Sequence, residues 1–140
     1  MPIDPALYES VNQLAEALMD AAEKDQHNRY FDLYAELEAL AEDTKETDKD
    51  HPYVLETLGD FTLDDEDAID VYERALELSE TLNLPECRAS IQLAIADRYL
   101  ELGDREAARN YADETERSLD SVQNEGLRQE LAELRRDLGA

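Results

Sequence analysis

Apolar residues recur at alternating steps of three and four in seven separate stretches of this sequence. That spacing constrains the fold more than any other feature, because an α-helix is what places such positions on one side. Leu7, Val11, Leu14 and Leu18 make the first stripe, on a helix expected from Pro5 to about Glu23. Asp4 can accept from its free N–H groups and Pro5 suits its first position. Polar residues 24–28 interrupt, and a second stripe follows at Tyr30, Leu33, Tyr34, Leu37, Leu40 and Ala41. The short connection makes the two an antiparallel hairpin. Residues 42–51 contain no apolar side chain and read as a loop.

Pro52 restarts order with Tyr53, Val54, Leu55 and Leu58, a short helix ending near Gly59. The acidic residues Asp64, Asp65, Glu66 and Asp67 stand where a helix dipole favours negative charge, before a stripe from Ala68 through Tyr72 and Ala75 to Leu82. Pro85 stops that helix, since the residue before a proline avoids helical geometry. Ile91, Ala94, Ile95, Arg98, Tyr99 and Leu102 run on to Gly103, Asp104 caps a helix carrying Ala108, Ala112 and Leu119, and Leu127, Leu131, Leu134 and Leu138 mark the last. The expectation is all-α with about seven helices: three hairpins and a terminal lid. Only 4 Gly and 4 Pro occur in 140 residues, too few for a turn-rich all-β design or a Gly-rich phosphate cradle. A hydrophobic fraction of 42%, with 21 Leu, is enough for one core.

The 37 Asp and Glu outnumber the 13 Lys and Arg, giving a formal charge of −24. Such a chain repels nucleic acid and an anionic membrane surface, and no stretch approaches the ~18 apolar residues of a membrane span. Residues 1–5 show neither a basic start nor an apolar signal core, so the expected compartment is the cytoplasm. The single cysteine, Cys87, has no internal disulfide partner, in keeping with a reducing environment. Three accounts fit the acidity. Salt adaptation would make it a general surface property, and Lys is scarce at three residues, but the Leu-rich core counts against it. In the second account, exposed helix faces simply carry charge to stay wet. A basic partner would be recruited by a field of opposite sign.

Three hairpins that each bury one face must stack on a neighbour, and the pattern within them resembles the tetratricopeptide repeat. The better copy covers residues 89–122, with Ile95, Ala96, Tyr99, Gly103, Ala108, Ala112 and Thr115 at the pattern's places. Ala112 stands where a large aromatic is usual and Thr115 where Ala is. Another copy shows Leu55, Leu58, Gly59, Ala68, Tyr72 and Ala75, its first helix or turn about three residues short, and the step from Ala68 to Ala108 exceeds the family's usual ~34 residues. Leu18, Ala21, Tyr30, Tyr34 and Leu37 hint at a third. The resemblance implies a right-handed stack of antiparallel helical hairpins in a single helical-repeat domain, 1–140. Its parts are an N-terminal hairpin (5–43), an acidic loop (44–51), two repeat-like hairpins (52–122) and a C-terminal helix (124–139).

The same resemblance implies that the first helix of each hairpin lines a concave binding face. It places Tyr53, Glu56, Asp60, Ser90, Leu93, Asp97, Leu100 and Glu101 there as partner-binding residues, with Asn12, Met19 and Glu23 from the N-terminal copy. The groove is then acidic with apolar spots, Leu93, Leu100 or Tyr53 serving as anchor. A basic protein or peptide is the expected partner. By size, charge and architecture the chain is similar to small acidic bacterial immunity proteins, which occlude a cationic toxin; an adaptor or dedicated chaperone holding a peptide in the groove is the alternative. Self-association is open, since the last helix could be a lid or a dimer seam.

No enzymatic constellation is legible, and neither a cofactor nor a metal is expected. His27 and His51 fall in separate polar loops and read as solvated. The run from Asp60 to Asp67 lacks the central Gly and closing Glu of a calcium loop and reads as a helix start. Cys87 beside Arg88 is either a low-pKa thiol or a small buried hydrophobe, the latter being the commoner case. Tyr34, Tyr72, Tyr99 and Tyr111 belong to the hairpin core, leaving Tyr8 and Tyr53 as contact candidates. Arg128, Arg135 and Arg136 are expected to pair with Glu130, Glu133 and Asp137 on their own helix.

Overall fold

Caps and prolines decide where the helices begin. In the computed structural model, which describes residues 2–139, Asp4 accepts from the backbone N–H of Leu7 at 3.1 Å and Pro5 opens α1 (Pro5–Glu23). Asp25, at φ 55°, makes the turn into α2 (His27–Thr44). His51 Nδ1 accepts from the Tyr53 N–H at 3.1 Å and caps α3 (Pro52–Asp60). Asp64, Asp104 and Asn124 cap α4 (Asp65–Thr81), α6 (Arg105–Leu119) and α7 (Glu125–Asp137) in the same way, while Pro85 opens α5 (Pro85–Glu101). Between α5 and α6 the chain turns at Gly103 with φ 81°, a conformation other residues reach only with strain. No strand occurs among the described residues, and no helix among them is long and apolar enough to cross a membrane. Met1 and Ala140, the two ends of the single-domain reading, lie outside the described residues.

The helices pack as consecutive antiparallel hairpins. α1 lies on α2, α3 on α4 and α5 on α6, and each hairpin meets the next through α2–α3, α4–α5 and α6–α7. The odd-numbered helices also touch in the series α1, α3, α5, α7, whereas α2 does not reach α4, nor α4 α6, among the described residues. One face of the stack is therefore a continuous sheet of odd-numbered helices, and the other is splayed.

Two apolar clusters hold this arrangement. The first joins Leu7, Val11 and Leu18 of α1 to Leu37, Val54, Leu58, Ile69, Tyr72, Ile91 and Ile95. The second closes α7 over α5 and α6 through Leu131, Leu134 and Leu138 against Ala89, Leu93, Ala108, Ala112 and Leu119. Burying each such Leu contributes roughly 2 kcal/mol. Tyrosine hydroxyls tie the first two hairpins together: Tyr30 donates to the Phe61 carbonyl at 2.6 Å, and the Tyr34 and Thr62 hydroxyls are 2.7 Å apart. No buried side-chain polar atom among the described residues lacks a partner.

Arginines clasp α6 to α7 from both ends. Arg105 and Arg109, in the first turns of α6, donate to the carbonyls of Asp137 and Leu138 at the end of α7. Arg128, early in α7, donates to the carbonyls of Leu119 at 2.7 Å and Val122 at 3.4 Å, at the end of α6 and just beyond it. Cations at helix C-termini meet the negative dipole end and satisfy carbonyls that have no helical donor. Arg135 reaches Asp113 at 3.1 Å and Glu116 at 3.6 Å on α6. Arg128 and Arg135 thus bind across to the neighbouring helix, in place of the pairing within α7 expected from their spacing, because α6 runs antiparallel alongside.

Other expectations change as well. α2 runs on to Thr44, whose hydroxyl donates to the carbonyls of Leu40 and Ala41, so the loop starts three residues later than the apolar-free run 42–51 and one later than the 44–51 of the repeat reading. His51 is buried as a helix cap, not solvated, because its ring substitutes for the usual Ser or Asp. Cys87 is half-buried and packs against the first cluster; burial first, then Glu56 and Glu86, push its thiol pKa up, which removes the low-pKa alternative. Tyr72 is buried as expected, while Tyr34, Tyr99 and Tyr111 are half-buried at the edges of the clusters.

Candidate functional site

On the face of odd-numbered helices, α3 and α5 run side by side with α7 beyond, and a cleft of about 310 Å³ opens between them. Glu56 and Asp60, one turn apart on α3, form one wall; Ser90, Leu93, Ala94 and Asp97 of α5 form the other; Glu130 of α7 closes the end. Tyr72 and Arg98 line it from below. Five of the eleven residues expected on a concave face, Glu56, Asp60, Ser90, Leu93 and Asp97, therefore border one opening.

The carboxyls differ in their surroundings. Ser90 donates to Glu56 Oε2 at 2.5 Å. Burial, with Asp60 and Glu130 adding negative charge, pushes the Glu56 pKa up to about 7 despite that hydrogen bond. Tyr72 donates to Asp60 Oδ1 at 2.6 Å. Loss of water around the Asp60 carboxyl raises its pKa, while the Tyr72 hydrogen bond and Arg98 pull it back. Asp97 has much of its surface in solvent, yet its carboxyl pKa is also raised, by desolvation and then by Glu130, Asp137 and Glu101. Arg98 is the one cation at the cleft and is already engaged, donating to Asp65 Oδ1 at 3.0 Å and to the Gly59 carbonyl at 3.1 Å. Four carboxyl groups therefore border one opening, Glu56 half-buried and Asp60, Asp97 and Glu130 exposed, and its single guanidinium is spoken for.

The remaining expected residues stand elsewhere. Tyr53 leans toward α1: its hydroxyl donates to Asn12 Oδ1, and its ring centroid is 5.2 Å from that of Tyr8. Leu100 packs half-buried on the second cluster, and Glu101 is exposed outside the cleft. Leu93 is corrected as an apolar anchor. It is 3% exposed, because α7 folds down over it and draws it into the second cluster, so it forms the cleft's floor and has no surface to offer. Of the N-terminal residues, Met19 and Glu23 are exposed on α1 and do not line this cleft.

Glu130 and Arg98 were not among the residues expected here. Spacing pairs Glu130 with arginines on its own helix, and no local signal tells that α7 brings it to the cleft that Asp97 lines. Chemically, the site gathers carboxyl groups around one opening and offers a single cation that is already paired. Among the described residues no three His, Cys, Asp or Glu side chains converge as metal ligands do. In class, the molecule is an all-helical hairpin stack with an acidic cleft on one face. No protein-family model matches the chain, and neither a curated protein nor a solved structure does.

Proposed function

We propose that this protein is a tetratricopeptide-like binding module that captures a basic protein by receiving one of its Lys or Arg side chains in the cleft between α3 and α5. The observation that carries this reading is the crowding of Glu56, Asp60, Asp97 and Glu130 around one opening with no uncommitted cation. Charge by itself does not single the cleft out, since α4 also displays exposed carboxylates at Glu66, Asp70, Glu73, Glu77 and Glu80. None of those belongs to the cleft that holds the half-buried Glu56. At Glu56 water has been partly stripped before the guest arrives, so the electrostatic gain on pairing there is larger than for exposed pairs, which contribute ~0–1 kcal/mol each.

A cleft of about 310 Å³ takes the ends of one or two long side chains, which suits side chains projecting from a folded surface better than a long extended segment. That weighs toward occlusion of a cationic surface, the mode of an immunity protein acting on a bacterial toxin in the cytoplasm, and against a chaperone holding a segment. The Glu56 proton gives the reading a thermodynamic signature. An incoming ammonium or guanidinium would expel it, so binding should release a proton and strengthen as pH rises toward about 7.

The test is co-expression with the basic product of an adjacent gene, followed by calorimetry in buffers of different protonation enthalpy. A one-to-one complex, weakened by salt and by Glu56→Gln and accompanied by proton release, supports the proposal. Binding that is indifferent to salt and to Asp97→Lys refutes it.

A further inference from the structure

We propose that the open side of the first hairpin is a second, separate docking surface, for an amphipathic helix of another protein that is apolar along one stripe and rich in Lys or Arg along its flanks. This inference uses none of the cleft residues and does not rest on the function proposed for them.

Each hairpin but the first is covered on both sides. The α3–α4 hairpin lies between its neighbours, and α5–α6 is closed by α7, whose Arg128, Gln129, Glu133 and Arg136 turn a polar, exposed surface outward. A stack of helical units needs such a polar cap at its ends. The α1–α2 hairpin has α3 on one side and a shallow groove of about 520 Å³ on the other. The groove's floor is Leu14 and Ala17 of α1 with Leu33, Ala39 and Leu40 of α2. Leu14, Leu33 and Leu40 rest on the first cluster with one side only and keep part of their surface in water.

Two observations identify the occupant. The opposite side of the same hairpin is filled by a helix, α3, which packs on α1 and α2 together, so the seam between these two helices is a surface on which a helix can lie. The rim is acidic, with Glu36 and Asp43 along α2 and no cation among the lining residues. A second copy of this chain, meeting itself through a two-fold axis, would set those carboxylates against their own counterparts. A helix with cationic flanks meets them with the opposite sign and covers the leucines with its stripe.

The probe is a labelled synthetic helix of about 18 residues, long enough to sustain helicity, with a Leu stripe and Lys flanks, and a scrambled peptide of identical composition. Anisotropy titrations compare the parent protein with Ala39→Arg, an exposed position where a bulky cation obstructs the groove without entering the core, and with Asp97→Lys in the cleft. The striped peptide is expected to bind saturably, at least about tenfold more tightly than the scrambled one; Ala39→Arg should weaken the striped peptide alone by about tenfold, whereas Asp97→Lys should change the two peptides alike and leave their ratio intact. Asp97→Lys alters the net charge more than Ala39→Arg does, so a purely global field effect would appear there first. Equal binding of both peptides, insensitivity to Ala39→Arg, loss confined to Asp97→Lys, or self-association of the parent chain abolished by Ala39→Arg would each overturn the proposal. Circular dichroism of Ala39→Arg checks that the hairpin remains folded.

Discussion

The ring of Tyr72 occupies the space where Gly59 would carry a side chain: a Cβ built on Gly59 stands 2.6 Å from Tyr72 Cε1, 2.7 Å from Cδ1 and 2.9 Å from Cζ. This contact sets the distance between α3 and α4, and it delivers the Tyr72 hydroxyl to Asp60 on the cleft wall. In an unconstrained helix Gly→Ala stabilises by about 1 kcal/mol. At Gly59 the sign is expected to reverse, because the obstructing atoms belong to a buried ring with little room to move. Gly59→Ala should destabilise by about 1–3 kcal/mol in urea unfolding, and combining it with Tyr72→Leu should recover part of the loss through a favourable coupling term.

Glu56 makes stability pH-dependent in a stated direction. Its folded pKa is about 7 against an ordinary value of 4.5, so between these values the folded chain holds a proton that the unfolded chain has released. The contribution is therefore present at low pH and is lost as pH rises through about 7. Asp60 and Asp97, also raised, act in the same sense. Glu56→Gln should flatten the curve and stabilise the protein at about pH 8 by up to about 3 kcal/mol relative to the parent, with little difference near pH 5. Urea midpoints at the two pH values measure this; an unchanged difference between them would mean Glu56 is solvated in the folded state.

Reversing charge at the cleft should slow capture of a cationic partner without touching the fold. Asp97 lines the cleft and Glu101 does not, although both are exposed on α5. Asp97→Lys is expected to lower the association rate several-fold, up to about tenfold at low salt, and Glu101→Lys distinctly less. Stopped-flow association with a lysine-bearing ligand, beside far-ultraviolet circular dichroism, separates the two. Equal effects would reduce the cleft to a share of the overall field.

Ala108 is fully buried where α6 meets the second apolar cluster. Ala108→Asp places an unpaired carboxylate there and should cost about 3 kcal/mol or more, visible as a large fall in melting temperature. A variant that melts like its parent would show that α5 and α6 are packed in another register.

Arg128 holds the start of α7 to the end of α6 through the Leu119 carbonyl at 2.7 Å. Arg128→Ala should destabilise α7 locally by about 1–2 kcal/mol, read as faster amide hydrogen exchange in residues 125–137 with α1–α4 unaffected. Because α7 also places Glu130 at the cleft, the same variant should weaken capture of the cationic partner more than its distance from Glu56 suggests.

How much of this was legible before folding depends on the range of the interaction. The helix starts at Pro5, Pro52 and Pro85 were readable because a cap or a proline acts on the backbone within a few residues. His51 escaped, since an imidazole capping a helix has no strong sequence signature. On the cleft, Glu56, Asp60, Ser90 and Asp97 came from a repeat register that assigns faces of a helix. That register could not tell that Leu93, on the same strip, would be sealed under α7. Nor could it tell that Glu130 would arrive from more than thirty residues away.

The amino-acid sequence by itself determined the helices, their order and the sign of the surrounding field, because side-chain spacing, caps and summed charge are local or additive properties. Tertiary structure alone decided which carboxyls lose their water, which arginines turn inward to finish neighbouring helices and which leucines remain uncovered. Those outcomes depend on what each group is packed against, and its neighbours are supplied by segments far away along the chain.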